Sequence, residues 1–362
     1  MANTKQRNST MELLRIFSML LIVSWHYATQ FGEQGHGVLD EEMSVYHIFA
    51  FLIGGWGQLG VDLFVIISVY YLRQSNRFHI AKVLDLMLIS VFYGLFWTFI
   101  CYVFGVNLSI TDALRGTVAI FTGENWFGFS YVLLYIFHPL LNCFIEKLSI
   151  AQLKKGTVLL TIFVSGIKTI YHGIPICDFM FMINIYFIIC CLEKTTAKKW
   201  FVIHAKTGFV GCSLFLVIIH IVLVIIADYY NSLFLHTHSY YFNLRGSIFI
   251  LFDALCLFYW FCSIKSIHSY IINSISSTCF GVFLSHQFVG YKFWYSILHR
   301  NDLTQVKECL HMAFSVIFIF IVCSFIDFIR QKTVGFLYKK CCSIPTLKEK
   351  QLKIDDYMNS TC

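Results

Sequence analysis

Apolar runs of bilayer-crossing length follow one another along the chain, separated by short polar breaks. Ten can be read, at approximately 11–31, 47–72, 83–104, 126–145, 157–172, 176–192, 208–227, 247–264, 278–298 and 310–329. A helix needs roughly 20 predominantly apolar residues to cross the hydrocarbon core. The pattern predicts an all-α, polytopic transmembrane helix bundle of about ten spans. Residues 1–335 form the membrane domain, and 336–362 form a polar, basic cytoplasmic tail. Only residues 173–177 separate the fifth run from the sixth, and Lys168 falls inside the fifth.

Composition agrees with this reading. Hydrophobic residues make up 58% of the 362 positions and charged residues 13%, where a soluble domain carries about 25% charged residues. Mean hydropathy is +0.70. A large soluble domain is excluded. The first ten residues are polar and basic, and an apolar run follows at once. No small-residue cleavage site follows Phe31, so the run reads as a retained first span and not as a secretory signal. Most cysteines (Cys101, Cys190 and Cys256 among them) lie within apolar runs, where Cys packs as a small hydrophobe. They show no metal-ligand spacing, and no metal site is expected.

Loop charge sets the orientation. Of the 27 Lys and Arg residues, twenty fall in the N-terminal tail, the even-numbered loops and the C-terminal tail, and four in the opposite loops. Arg15, Lys168 and Lys292 lie within spans, and the first opposite loop holds Glu33, Asp40, Glu41 and Glu42. Positive residues stay cytoplasmic, so both termini are expected in the cytoplasm and the span number is even. The net charge of +7 then reflects orientation and contact with lipid headgroups; nucleic acid is not expected as a partner.

An ionisable group inside a bilayer is costly and therefore a candidate for function. Arg15 and His26 are eleven residues apart in the first run. That is close to three helical turns, so both face the same way with a rise of roughly 16 Å between them. Glu12 lies one turn below Arg15. A guanidinium fork near the cytosol can hold phosphate, and a buried imidazole can take the proton of a hydroxyl. Together they suit a long phosphorylated carrier that enters from the cytosol and reacts at its far end within the membrane.

Four segments extend this reading. The first is Arg15, ten residues, then His26; the second is GVDLFVIISVYYL (60–72); the third is ENWFGFSYVLLYIFHPLLN (124–142); the fourth is SSTCFGVFLSHQ (276–287). In this order the chain resembles the integral-membrane acyltransferases of the acyltransferase-3 type, which acetylate surface polysaccharides, peptidoglycan and related glycans. Two departures stand out. Val69 replaces the family's usual Gly after Ser68, and the paired arginines common before the third span have only Arg73, Arg77 and Lys82 as counterparts. The chain also lacks the C-terminal hydrolase-like domain of some members. The expectation is therefore the stand-alone group, which acts on capsule, exopolysaccharide or O-antigen units.

The resemblance implies acetyl-CoA or another acyl-CoA as donor substrate, no permanently bound cofactor, and a glycan or lipid-linked saccharide acceptor. Other membrane proteins of polysaccharide assembly are implied as partners, and a bacterial cytoplasmic membrane as the location. His26 becomes the base or a transient acyl carrier, with Arg15, Arg73 and Arg77 on the CoA. Asp62, Trp126, Tyr131 and His286 are candidates for substrate contact, Asp62 also for orienting His26. His138, before Pro139, reads as structural, and His236 and His238 as sharing an exposed loop. The rival class is a polytopic transporter, flippase or glycan polymerase; an inactive scaffold is a third reading.

Overall fold

The computed structural model describes residues 7–31, 37–299 and 303–360, with only the backbone of Lys339; Glu33 of the first acidic loop lies outside them. The described chain is helical throughout, with no strand. Helix α1 (Ser9–Gln30) starts at Asn8, whose side chain accepts from Thr10 N. The second apolar run is two helices, α2 (Val45–Gly54) and α3 (Gly57–Leu72), divided at Gly55 and Trp56. Then follow α4 (Ile80–Val103), α5 (Ile110–Thr122), α6 (Trp126–Lys147) and α7 (Ile150–Thr161), the last continued through a π-turn into α8 (Ile167–Ile170). After α9 (Asp178–Lys194) come the long α10 (Ala197–Tyr229), short α11 (Leu233–Thr237) and α12 (Ile248–Ser263). The chain closes with α13 (Tyr270–Ser276), α14 (Cys279–His286), α15 (Val289–Leu298), α16 (Gln305–Lys332), α17 (Val334–Cys342) and α18 (Pro345–Asn359).

Eight helical stretches among the described residues are long and apolar enough to cross a membrane. The sixth and ninth predicted runs are not among them. Helix α9 has 17 residues, at the short end of what spans a bilayer. The ninth run is broken between α14 and α15, where Gln287 is extended and Phe288 has φ +56°. That conformation is uncommon for a bulky residue and cannot continue a helix. A second difference lies in residues 105–125, where a loop was expected and α5 forms. Helix α5 turns Gly116, Ala119 and Ile120 inward and leaves Ile110, Leu114 and Phe121 exposed.

Contacts sort the loops into two ends. At one, Arg73 meets Glu193 at 2.7 Å, His79 meets Asp355 at 3.2 Å, and Ser269 N donates to Ser9 Oγ. At the other, Lys292 meets Asp112 at 2.6 Å, Arg245 meets Asp178 at 2.8 Å, and Tyr240 donates to Asp40. The even-numbered loops and both chain ends share the first; the odd-numbered loops share the second. Helix α3 is the hub of the first end and of the core: all but Gln58, Tyr70 and Tyr71 of its sixteen residues are buried. It packs on α1 through glycines. An added Cβ on Gly57 would strike Trp25, and one on Gly60 would strike the Ser18 carbonyl, so the two backbones approach closely only because these side chains are missing.

Candidate active site

The Arg–His stripe of α1 faces two different surroundings. Arg15 is held by Glu12 (Nη1 to Oε2, 2.7 Å), and Glu12 also binds Arg7 at 3.0 Å and accepts from Ser276 Oγ. Two arginines on one carboxylate leave net positive charge. A cavity of about 340 Å³ opens beside Arg15, and Arg77, His79, Lys82, Tyr131 and His138 also line it. A second cavity of about 480 Å³ lies on the other flank, lined by Arg7, Glu12, Arg15, Tyr70 and Tyr71. Arg15 and Tyr71 belong to both, so they form the partition between them.

Local sequence explains how the cation cavity is built. Arg77 and His79 sit on the short turn between α3 and α4, and Asn142 of α6 pins that turn by donating to Leu72 O and Ser75 O. Pro139 has no N–H for the carbonyl of Tyr135, and the freed oxygen takes His138 Nδ1 at 2.5 Å. His138 is therefore bound to the backbone next to the cavity. Lys82 rests over the Tyr135 ring, 4.8 Å from its centroid.

An aromatic wall leads away from this cavity. The Arg15 guanidinium lies over Phe64, 5.8 Å from the ring centre. Phe64 meets Phe127 edge-on at 5.8 Å, Phe127 stacks on Tyr131 at 6.1 Å, and Phe127 reaches Phe283 at 5.2 Å. Phe283 abuts His286 at 6.1 Å. At the far end His26 Nδ1 lies 2.8 Å from His286 Nε2. His286 is 4% exposed, while His26 keeps partial exposure, so His26 presents the accessible edge of the pair.

The predicted residues thus divide. Arg15, Arg77 and Tyr131 line one cavity, and His26 and His286 form the pair at the end of the wall. Arg73 is elsewhere: its guanidinium is bound to Glu193 and stacks over Tyr70 at 4.8 Å. Asp62 is fully buried and receives Gln58 Nε2 at 2.5 Å, with Oδ2 unpartnered. It lies two residues beyond Gly60, whose face packs on α1, and so on the opposite side of α3; the ring beside His26 is that of His286. Trp126 carries the Arg245 guanidinium at 4.1 Å over its ring, and Arg245 pairs with Asp178. His236 is not on an exposed loop: it is buried and lies 3.1 Å from Asp228.

Sequence reasoning passed over Phe64, Phe127 and Phe283, as well as Ser276 on Glu12. Each lies inside a segment that carried the resemblance, but an aromatic in an apolar run gives no sign of which ring it packs against.

The chain can also be compared with known proteins. The family described as Acyltransferase domain matches residues 8–328, from the N-cap of α1 into α16. No curated protein and no solved structure matches. The matched stretch contains Arg15, the cation cavity, the aromatic wall and both histidines. With nearly the whole bundle covered, the chain belongs to the acyltransferase-3 family of multi-pass membrane acyltransferases.

Proposed function

We propose that the protein is an O-acyltransferase of a bacterial cytoplasmic membrane. It moves an acetyl or related acyl group from cytosolic acyl-CoA to a hydroxyl of a cell-surface glycan, free or lipid-linked, of the capsule, exopolysaccharide or O-antigen kind. One observation carries this reading. Arg15, in a cavity with Arg77, His79 and Lys82, and His26, partly exposed in an apolar setting, stand on one helix with an aromatic wall between their ends. Cations suit the donor's phosphates. The rise of roughly 16 Å between the two residues is of the order of an extended pantetheine arm, whose thioester then reaches His26.

In this reading the acceptor hydroxyl gives its proton to His26. Its oxygen forms a bond to the thioester carbonyl carbon, the C–S bond breaks, and the leaving thiolate takes the proton from His26 to give the free thiol. The products are an ester and CoA. Arg15 and Arg77 hold the phosphates, and Tyr131, where the cavity meets the wall, guides the donor arm. A base of this kind supplies about 10²- to 10⁴-fold.

The test is glycan NMR on cells lacking the gene, complemented with wild type or with His26→Ala. O-acetyl signals disappear in the deletion, return with wild type and stay absent with His26→Ala. Unchanged acetylation in the deletion, with lost export or altered chain length, assigns the protein to the flippase or polymerase class instead.

A further inference from the structure

The contacts of His286 fix where the protons sit in the histidine pair. His286 Nδ1 lies 2.7 Å from the carbonyl oxygen of Val282, one turn back in α14. A carbonyl oxygen only accepts, so Nδ1 carries the hydrogen, and a neutral ring then keeps its lone pair on Nε2. That Nε2 is the atom 2.8 Å from His26 Nδ1. His26 must therefore donate through Nδ1, which leaves its own lone pair on Nε2. Among the described residues no hydrogen bond occupies His26 Nε2, and neither ring has a carboxylate partner.

We propose that His286 is a positioning residue: it holds His26 in the tautomer whose Nε2 is the base, and it does not touch the substrate. This rests on the reading of His26 as the base. Both ring nitrogens of His286 are engaged, one by Val282 and one by His26, and the ring is 4% exposed. It has no free atom for a hydroxyl or a thioester. When His26 takes up the acceptor's proton at Nε2, its Nδ1–H becomes the donor of a charge-assisted bond to His286 Nε2, which is stronger than the bond in the neutral pair. The carbonyl of Val282, His286 and His26 thus form a chain with one polarity. The two rings come from α14 and α1, so the mutual docking of these helices is part of the site.

Three substitutions separate this role from bulk packing. In His286→Gln, the amide oxygen falls near the position of Nε2 and can accept from His26. In His286→Asn, the shorter amide reaches Val282 but not His26. His286→Leu fills the volume with no acceptor. The readout is the initial rate of labelled acetyl transfer from acetyl-CoA to glycan, in membranes that contain the native acceptor, with thermal unfolding of each purified variant beside it. The expected result is that His286→Gln keeps kcat within about threefold of wild type. His286→Asn and His286→Leu lose about 100-fold or more, the scale on which loss of a histidine's orienting partner acts. KM for acetyl-CoA stays within about twofold in all three, because the cation cavity is remote from the pair.

Wild-type kcat in His286→Asn or His286→Leu overturns the proposal, as does equal loss in folded His286→Gln and His286→Leu. A raised KM with unchanged kcat assigns His286 to substrate contact and overturns it as well. His26→Ala is the separate control: if it transfers acetyl at the wild-type rate, the function proposed for the site fails whatever position 286 shows.

Discussion

At the scale of single residues, arginines close together in the sequence sit in different surroundings. Arg73 and Arg77 stand four residues apart on one turn, and the family resemblance implied a place on the donor for both. The structure separates them, because Glu193 holds Arg73 at 2.7 Å while Arg77 lines the cavity that Arg15 enters. Arg77→Ala is expected to raise KM for acetyl-CoA about tenfold, the equivalent of a charge-assisted hydrogen bond, with kcat little changed. Arg73→Ala leaves KM within about twofold but lowers stability by about 1–3 kcal/mol, because Glu193 is buried and loses a partner. Equal KM effects in steady-state kinetics of the two variants would contradict the separation. His26 and Arg15 were legible in the sequence because they break an apolar run at helical spacing. His286 as the partner of His26 was not. The two are 260 residues apart, and hydropathy does not say which helix faces α1.

At the scale of elements, the glycines of α3 decide how Arg15 and His26 are presented. Gly60 sits against the Ser18 carbonyl, between Arg15 and His26 along α1. Gly60→Val is expected to wedge α1 from α3, costing about 1–3 kcal/mol by overpacking and lowering transfer at least about tenfold. Gly156→Ala, inside α7 where an added Cβ meets nothing within 4 Å, leaves transfer unchanged and raises stability by up to about 1 kcal/mol, because Ala favours the helix over Gly. Thermal unfolding and transfer rates of the pair check this, and a Gly60→Val protein with full activity contradicts it. The glycine that opens GVDLF was legible as part of a resemblance, and the packing gives it a physical reason. The break between α14 and α15 was not legible: no Pro or Gly stands at Gln287 or Phe288, and 278–298 reads as one apolar run. Tertiary packing sets that break.

At the scale of the whole molecule, alternation of the loops was the most legible feature, because charge and hydropathy agree on it. The contacts between loops group them as charge did. The tail was less legible. Its composition reads as polar and basic, yet α18 docks on the turn that carries the cation cavity. Asn359 accepts from Phe78 N at 2.8 Å, and Asp355 accepts from Ile80 N at 2.7 Å. Two native cysteines test which end faces the cytosol. Cys177 is exposed at the odd-loop end, and Cys341 is exposed on α17. In otherwise cysteine-free protein in intact cells, a membrane-impermeant maleimide is expected to label Cys177. Cys341 is expected to react only after permeabilisation. The reverse pattern would invert the orientation and put the cation cavity out of reach of a cytosolic donor.

Acyl transfer that needs both ends of the α1 stripe is measured most directly with purified protein in lipid nanodiscs. Labelled acetyl-CoA is supplied together with a glycan-bearing membrane extract, and label in the glycan is counted for wild type, Arg15→Ala and His26→Ala. Wild type is predicted to transfer acetyl. Arg15→Ala should be rescued in part by raising acetyl-CoA, because its defect lies in KM. His26→Ala should remain about 100-fold or more slower at every donor concentration. Transfer by His26→Ala at the wild-type rate would contradict the account.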